Sequence, residues 1–169
     1  MTVSGPPPFQ RFLDANRDAV WRLLVSSVGP DDAEDCFQET FIAALRAYPR
    51  LRGDSNMRAW VLTIAHRKAT DHHRARARRA LPVDPETLTQ GAGTSVTSAD
   101  GTPGALAPRD EGLWQAVHGL PLRQRSAIIL RYVGDLPHRD IAAAIGCSEE
   151  AARRSLHEGL STLRRELAT

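Results

Sequence analysis

Residues 136–160 read LPHRDIAAAIGCSEEAARRSLHEGL, and this stretch decides the fold class. Ile141, Ala142 and Ile145 recur at helical spacing and face inward. Gly146 supplies the left-handed backbone of a tight turn, and Ser148 caps a second helix whose first turn carries Glu149 and Glu150. That order is a helix-turn-helix, with Ala142 at a close crossing where only a small side chain fits. Ala152, Leu156, Leu160, Leu163 and Leu167 continue one apolar stripe, which leaves Arg153, Arg154 and His157 pointing outward.

Working back from this motif, Leu113, Val117 and Leu120 line a short helix, and Leu120-Pro121 starts another that buries Ala127, Ile128, Leu130 and Tyr132. Residues 81–108, LPVDPETLTQGAGTSVTSADGTPGALAP, are rich in Pro, Gly, Ser and Thr and lack the aliphatic mass for a core. They read as a flexible polar linker between a module at 8–80 and a second at 109–169. In the first, Phe9, Phe12, Leu13, Val20, Leu23 and Leu24 line a helix that stops before Gly29-Pro30. The next helix is capped by Asp31 or Asp32, with Ala33, Phe37, Phe41, Ala44, Leu45 and Tyr48 as its buried stripe. A third starts near Asn56, buries Met57, Trp60, Val61, Ile64 and Ala65, and runs on into HRKATDHHRARARR with no apolar stripe of its own. The whole chain is therefore expected to be all-α.

Charge is segregated along the chain. Residues 49–80 hold nine Arg or Lys against Asp54 and Asp71, a net of +7, whereas residues 1–48 hold four Arg against seven acids, a net of −3. The linker adds three acids and no base. A cationic helix beside a formed apolar stripe is an electrostatic footprint for a polyanion. Against this stand the things that are missing. The two cysteines have no CxxC spacing, the six histidines offer no metal-ligand pattern, and nothing resembles a P-loop, a nucleophile elbow or paired carboxylates. No catalytic residue, cofactor or metal is expected. MTVSGPPPF offers neither a basic start nor an apolar core for export, which points to the cytoplasm.

Residues 32–74, DAEDCFQETFIAALRAYPRLRGDSNMRAWVLTIAHRKATDHHR, resemble the second conserved region of extracytoplasmic-function sigma factors, and the terminal helix-turn-helix resembles their fourth region. Two such motifs in this order, with a polar linker between them, are far more specific than either alone. The resemblance implies a three-to-four-helix bundle followed by a helix-turn-helix domain. It also implies a promoter-specificity role, with bacterial core RNA polymerase and promoter DNA as partners and an anti-sigma factor as a further candidate. Asp32, Asp35, Gln38 and Glu39 fall where such proteins touch the polymerase clamp. Arg52, Asp54, Ser55 and Asn56 match the loop that receives a flipped base of the melted −10 element, and His66, Arg67, Lys68, His72 and Arg74 match the adjacent DNA-facing helix. Ser148, Arg153, Arg154 and His157 fall on the helix that reads duplex at −35. The chain departs from the usual pattern at Ala151-Ala152, where Thr-Val is common, and in the acids Glu149, Glu150 and Glu158.

Plainer readings compete at single residues. Acids also suit a helix N-terminus, but Gln38 and Glu39 lie beyond the first turn. Trp60 can stack on a base, yet it shares register with Met57, Val61 and Ile64 and reads better as core. His72 and His73 project about 100° apart and cannot chelate one ion together, so phosphate contact is the better reading. A stand-alone helix-turn-helix regulator is the alternative function, and it leaves the first module unexplained. A flexible 28-residue linker spans roughly 30 Å on average against a contour of roughly 95 Å. Free in solution, the modules are therefore expected to sit close together and to hide part of their DNA faces.

Overall fold

The computed structural model describes residues 6–52, 56–80 and 111–168. The expected linker, and with it Asp54 and Ser55, lies outside them. Among the described residues the chain is all helical: α1 (Phe9–Val28), α2 (Pro30–Ala47), a 3₁₀ turn (Tyr48–Arg50), α3 (Met57–Arg79), α4 (Glu111–Gly119), α5 (Leu122–Tyr132), α6 (His138–Ile145) and α7 (Glu149–Leu167). None of these helices is long and apolar enough to cross a membrane.

α1, α2 and α3 pack on one another as a bundle, and α4 to α7 gather around α7. In the bundle, Phe12, Val20, Leu23, Leu24, Val61 and Leu62 are almost fully removed from water, each such side chain contributing about 1.5–3 kcal/mol. Phe9, Phe12, Tyr48 and Trp60 form an aromatic cluster with ring centroids 5.1–6.4 Å apart, so Trp60 packs inward as its register implies. The Tyr48 hydroxyl donates to the Pro7 carbonyl at 2.6 Å, and burial raises its pKa.

The second module follows the same logic on a smaller core of Leu130, Leu136, Ile141, Ala142, Ala152, Leu156 and Leu163. Gly146 sits at φ 76° and closes α6, its N–H donating to Ala142 O. A β-carbon there would force a left-handed L-residue. Ser148 Oγ accepts from Ala151 N at 3.2 Å, which caps α7. At the α5–α7 crossing, a β-carbon on Gly159 would come within 2.8 Å of Ile128 Cδ1 and 3.2 Å of Gln124 Cβ, so the two helices approach closely there.

Several sequence expectations shift. α2 begins two or three residues earlier than expected, at Pro30 with Gly29 as its cap, because proline's fixed φ suits a first helical position. Asp31 and Asp32 then occupy its first turn. Leu45, Tyr132 and Leu167, read as buried, are 53%, 63% and 54% exposed. Each sits at the rim of its stripe, where a rotation of one residue turns the side chain outward.

The two modules are packed together: α3 lies against α6 and α1 against α5, and their buried residues form one continuous apolar cluster. Asn56 Nδ2 donates to Asp140 Oδ2 at 3.3 Å, and Arg58 Nη2 donates to Gly134 O at 3.3 Å. His118 Nε2 lies 2.8 Å from Ser26 O. Seated modules are what the span of the linker leads one to expect.

Candidate nucleic-acid interface

α3 is the rod on which the cationic face is built. Asn56 Oδ1 accepts from Ala59 N at 3.1 Å and starts it, a cap worth about 1 kcal/mol. Ala59, Val61, Leu62, Ala65 and Ala69 bury its inner side. At 1.5 Å per residue its 23 residues extend roughly 35 Å, carrying the basic run well past the aromatic cluster.

Along the edge that meets α2, the cations are already engaged. Lys68 Nζ lies 3.3 Å from Glu39 Oε2, and Arg76 Nη1 donates to Asp32 Oδ2 at 3.1 Å. His72 Nε2 lies 3.1 Å from the same Asp32 oxygen but out of line for a hydrogen bond, so this contact is a charge attraction that exists only for the protonated ring. Asp32 and Glu39, matched to polymerase contact, thus face Lys68 and His72, matched to DNA contact, across one open cleft that also exposes Asp35, Arg78 and Arg79. Cys36 lies on its floor. Burial first, then Glu39, Asp32 and Asp35, pushes its thiol up to about 11. The field on the α2 side is therefore negative despite the facing Lys68. Ion pairs this wet contribute only about 0–1 kcal/mol each, so an incoming phosphate or charged protein surface can exchange with them.

On its other edge α3 meets the second module. His66, Arg67, Thr70, Asp71 and Arg74 share a cleft with Ala143, Ala144, Ile145 and Gly146 of the α6 turn. Arg67 and Arg74 are exposed, with Arg74 held 3.7 Å from Asp71. His66, matched to the DNA-facing side, is only 9% exposed, and burial, then Arg67 and His73, lowers its pKa to about 4. His73 does not point outward beside His72; its Nε2 lies 2.8 Å from Ser27 O at the end of α1. Asn56 divides its side chain between its capping bond and Asp140, and Arg52 stands exposed beyond the 3₁₀ turn.

α7 presents its charge differently. Arg153 and Arg154 lie outward, yet each pairs with an acid one turn earlier, Glu149 and Glu150 respectively. The acids Glu149 and Glu150 are therefore spent on the two outward arginines, and Glu158 accepts from Gln124 at 3.3 Å. His157 is exposed and Ser148 is occupied as the cap.

One feature escaped the sequence reading. Ile42 and Leu45, 49% and 53% exposed, extend the outer face of α2 beyond Asp35, Gln38 and Glu39. The steps 35, 38, 42 and 45 follow helical spacing, and this was the signal available. Adjacent Phe41 and Ala44 masked it by drawing Leu45 into the buried stripe.

Residues 12–79 match the family model for sigma-70 region 2, and residues 110–163 match that for sigma-70 region 4. The chain is 34% identical over 165 residues to the ECF RNA polymerase sigma factor SigD of Mycobacterium tuberculosis (strain ATCC 25618 / H37Rv), covering 92% of this chain and 74% of that protein. It is 28% identical to ECF RNA polymerase sigma factor SigX of Bacillus subtilis (strain 168), covering 94% and 83% respectively. Among solved structures it is similar to the sigma factor RpoE in complex with the anti-sigma factor NepR from Bartonella quintana, with a TM-score of 0.75, 25% identity, and 95% and 97% of the two chains covered.

Proposed function

From the premise that this chain belongs to the extracytoplasmic-function branch of the sigma-70 family, we propose how its charged faces divide the work of an RNA polymerase sigma factor. The protein binds core polymerase and directs promoter-specific initiation, with core polymerase, promoter DNA and anti-sigma factors as its partner classes. The observation that carries this is the pair of matched regions, in order, each ending in a cation-bearing helix.

The outer face of α2, with Asp32, Asp35, Gln38 and Glu39, is the polymerase-docking surface in this reading. Ile42 and Leu45 extend it with apolar area. α3 meets the melted −10 strand through Arg67, Lys68, His72 and Arg74, with Arg52, Asp54, Ser55 and Asn56 at the base-receiving loop. His66 joins that face only once the second module lifts away. Arg153, Arg154 and His157 read duplex at −35, where arginine can fork onto guanine edges. The chain works in the cytoplasm and performs no catalysis of its own, the bond-making being the polymerase's.

Reconstitution tests this. Added to core polymerase, the chain should produce transcripts from a cognate promoter that vanish without it. Tight duplex binding without polymerase, and no transcripts with it, would instead establish a stand-alone regulator.

A further inference from the structure

Three histidines gather where the second module seats on the first. His66 and His73, two turns apart on one face of α3, border a small void whose far wall is Leu122, Arg125, Ser126 and Ile129 of α5. His118, at the end of α4, reaches across to α1. His73 and His118 meet successive carbonyls, Ser27 O and Ser26 O, each at 2.8 Å. These belong to the last turn of α1, whose carbonyls lack partners within the helix. A neutral imidazole serves there by donating its Nε2–H. Arg125 closes the ring: its Nη1 donates to His118 O at 3.0 Å.

We propose that this seam is a proton-sensitive latch, shut while His66 and His73 are neutral and released when they take up protons, so that acidification uncovers the α3 face. This goes beyond the sigma-factor reading and does not depend on it.

The charges around the two rings give the direction. His66 faces Arg67 and His73 on its own helix, Arg125 from α5, and only uncharged Ala143, Ala144, Ile145 and Gly146 from α6. Asp71 lines the neighbouring cleft but is paired with Arg74. His73 faces Arg125, His72 and His118, against one favourable contact, the Ser27 carbonyl. A proton on either ring therefore enters a half-dry site already crowded with cations. Burial is the largest cause of the lowered pKa of both groups, and residues of α5 and α6 line the clefts that His66 borders. Lifting that module returns each ring toward its ordinary value near 6.5. Both pKa values are depressed in the closed form, so closure is fully favoured above about 6.5 and weakens as pH falls toward about 4. Between about pH 7 and about pH 5.5, His66 shifts the open-to-closed ratio by at most about 8-fold toward open, the full value holding only if opening restores its ordinary pKa.

Small-angle scattering of the full chain from about pH 7.5 down to about pH 5, with helicity followed by circular dichroism, tests the latch. The radius of gyration should rise on acidification at constant helicity. The double variant His66→Gln/His73→Gln should stay compact over the same range, and His157→Gln, an exposed histidine on α7, should behave as the parent, which separates the latch from general charge repulsion. If the double variant loses helicity at neutral pH, His66→Gln and His73→Gln singly should each move the transition to lower pH. A parent chain whose size is constant with pH, or variants that expand as the parent does, would overturn the proposal.

Discussion

α3 and α7 are both cation-bearing helices, yet they hold their charge in different ways. On α7, Arg153 and Arg154 are balanced by Glu149 and Glu150 within one turn of the same helix, so the pairing survives wherever the helix goes. On α3, Lys68, His72 and Arg76 face Asp32 and Glu39 of α2, and the opposite edge, with Arg67 and Arg74 exposed, borders α6 across a cleft. The pairing there depends on the packing of α2 against α3. Locally balanced charge stays on the surface of its own helix whatever that helix packs against. Charge balanced across elements gives a face that a partner or a movement can release.

The first way to probe this contrast is to loosen each helix from its core. Leu62→Ala removes a fully buried side chain that seats α3, and should cost about 3–5 kcal/mol in urea unfolding. Leu156→Ala, at the partly open edge of α7, should cost about 2–3 kcal/mol. Equal costs would mean that α3 depends on tertiary packing no more than α7 does.

A smaller and sharper contrast comes from neutralising the carboxylates. If Arg153 and Arg154 meet duplex DNA as proposed, Glu149→Gln with Glu150→Gln leaves both unpaired, so duplex affinity should rise about 3- to 10-fold and its salt slope steepen by about 0.9 per released arginine. Asp32→Asn with Glu39→Gln should likewise raise single-strand affinity of the free chain a few-fold, with a slope change of about 0.7 per cation, while weakening the hold on core polymerase. A titration against salt reads both. If the second pair of substitutions leaves the slope unchanged, the α3 cations are not held in reserve by α2.

Much of this was open to sequence reasoning, for physical reasons that differ by region. The helix-turn-helix was legible because a positive-φ glycine, a capping serine and a small residue at a crossing are local necessities. The α3 start at Asn56 was legible for the same reason. What periodicity could not supply was the content of the seam. His66 shares its cleft with Leu122, Arg125, Ser126 and Ile129, residues more than fifty positions away. His73 looked like a phosphate ligand because nothing in its neighbourhood hints at the carbonyl of Ser27. Leu45, Tyr132 and Leu167 were misplaced because rim positions of a stripe are decided by the neighbour helix and not by spacing.

The central claim is that α3 offers its outer cations to opened promoter strands. The most direct test is initiation by core polymerase reconstituted with Arg67→Glu/Lys68→Glu/Arg74→Glu, alongside a check that helicity and polymerase binding persist. Transcript yield should fall by about two orders of magnitude or more, since each lost charge-assisted contact is worth about 1.5–3 kcal/mol. Unchanged yield from a chain that still binds polymerase would contradict it.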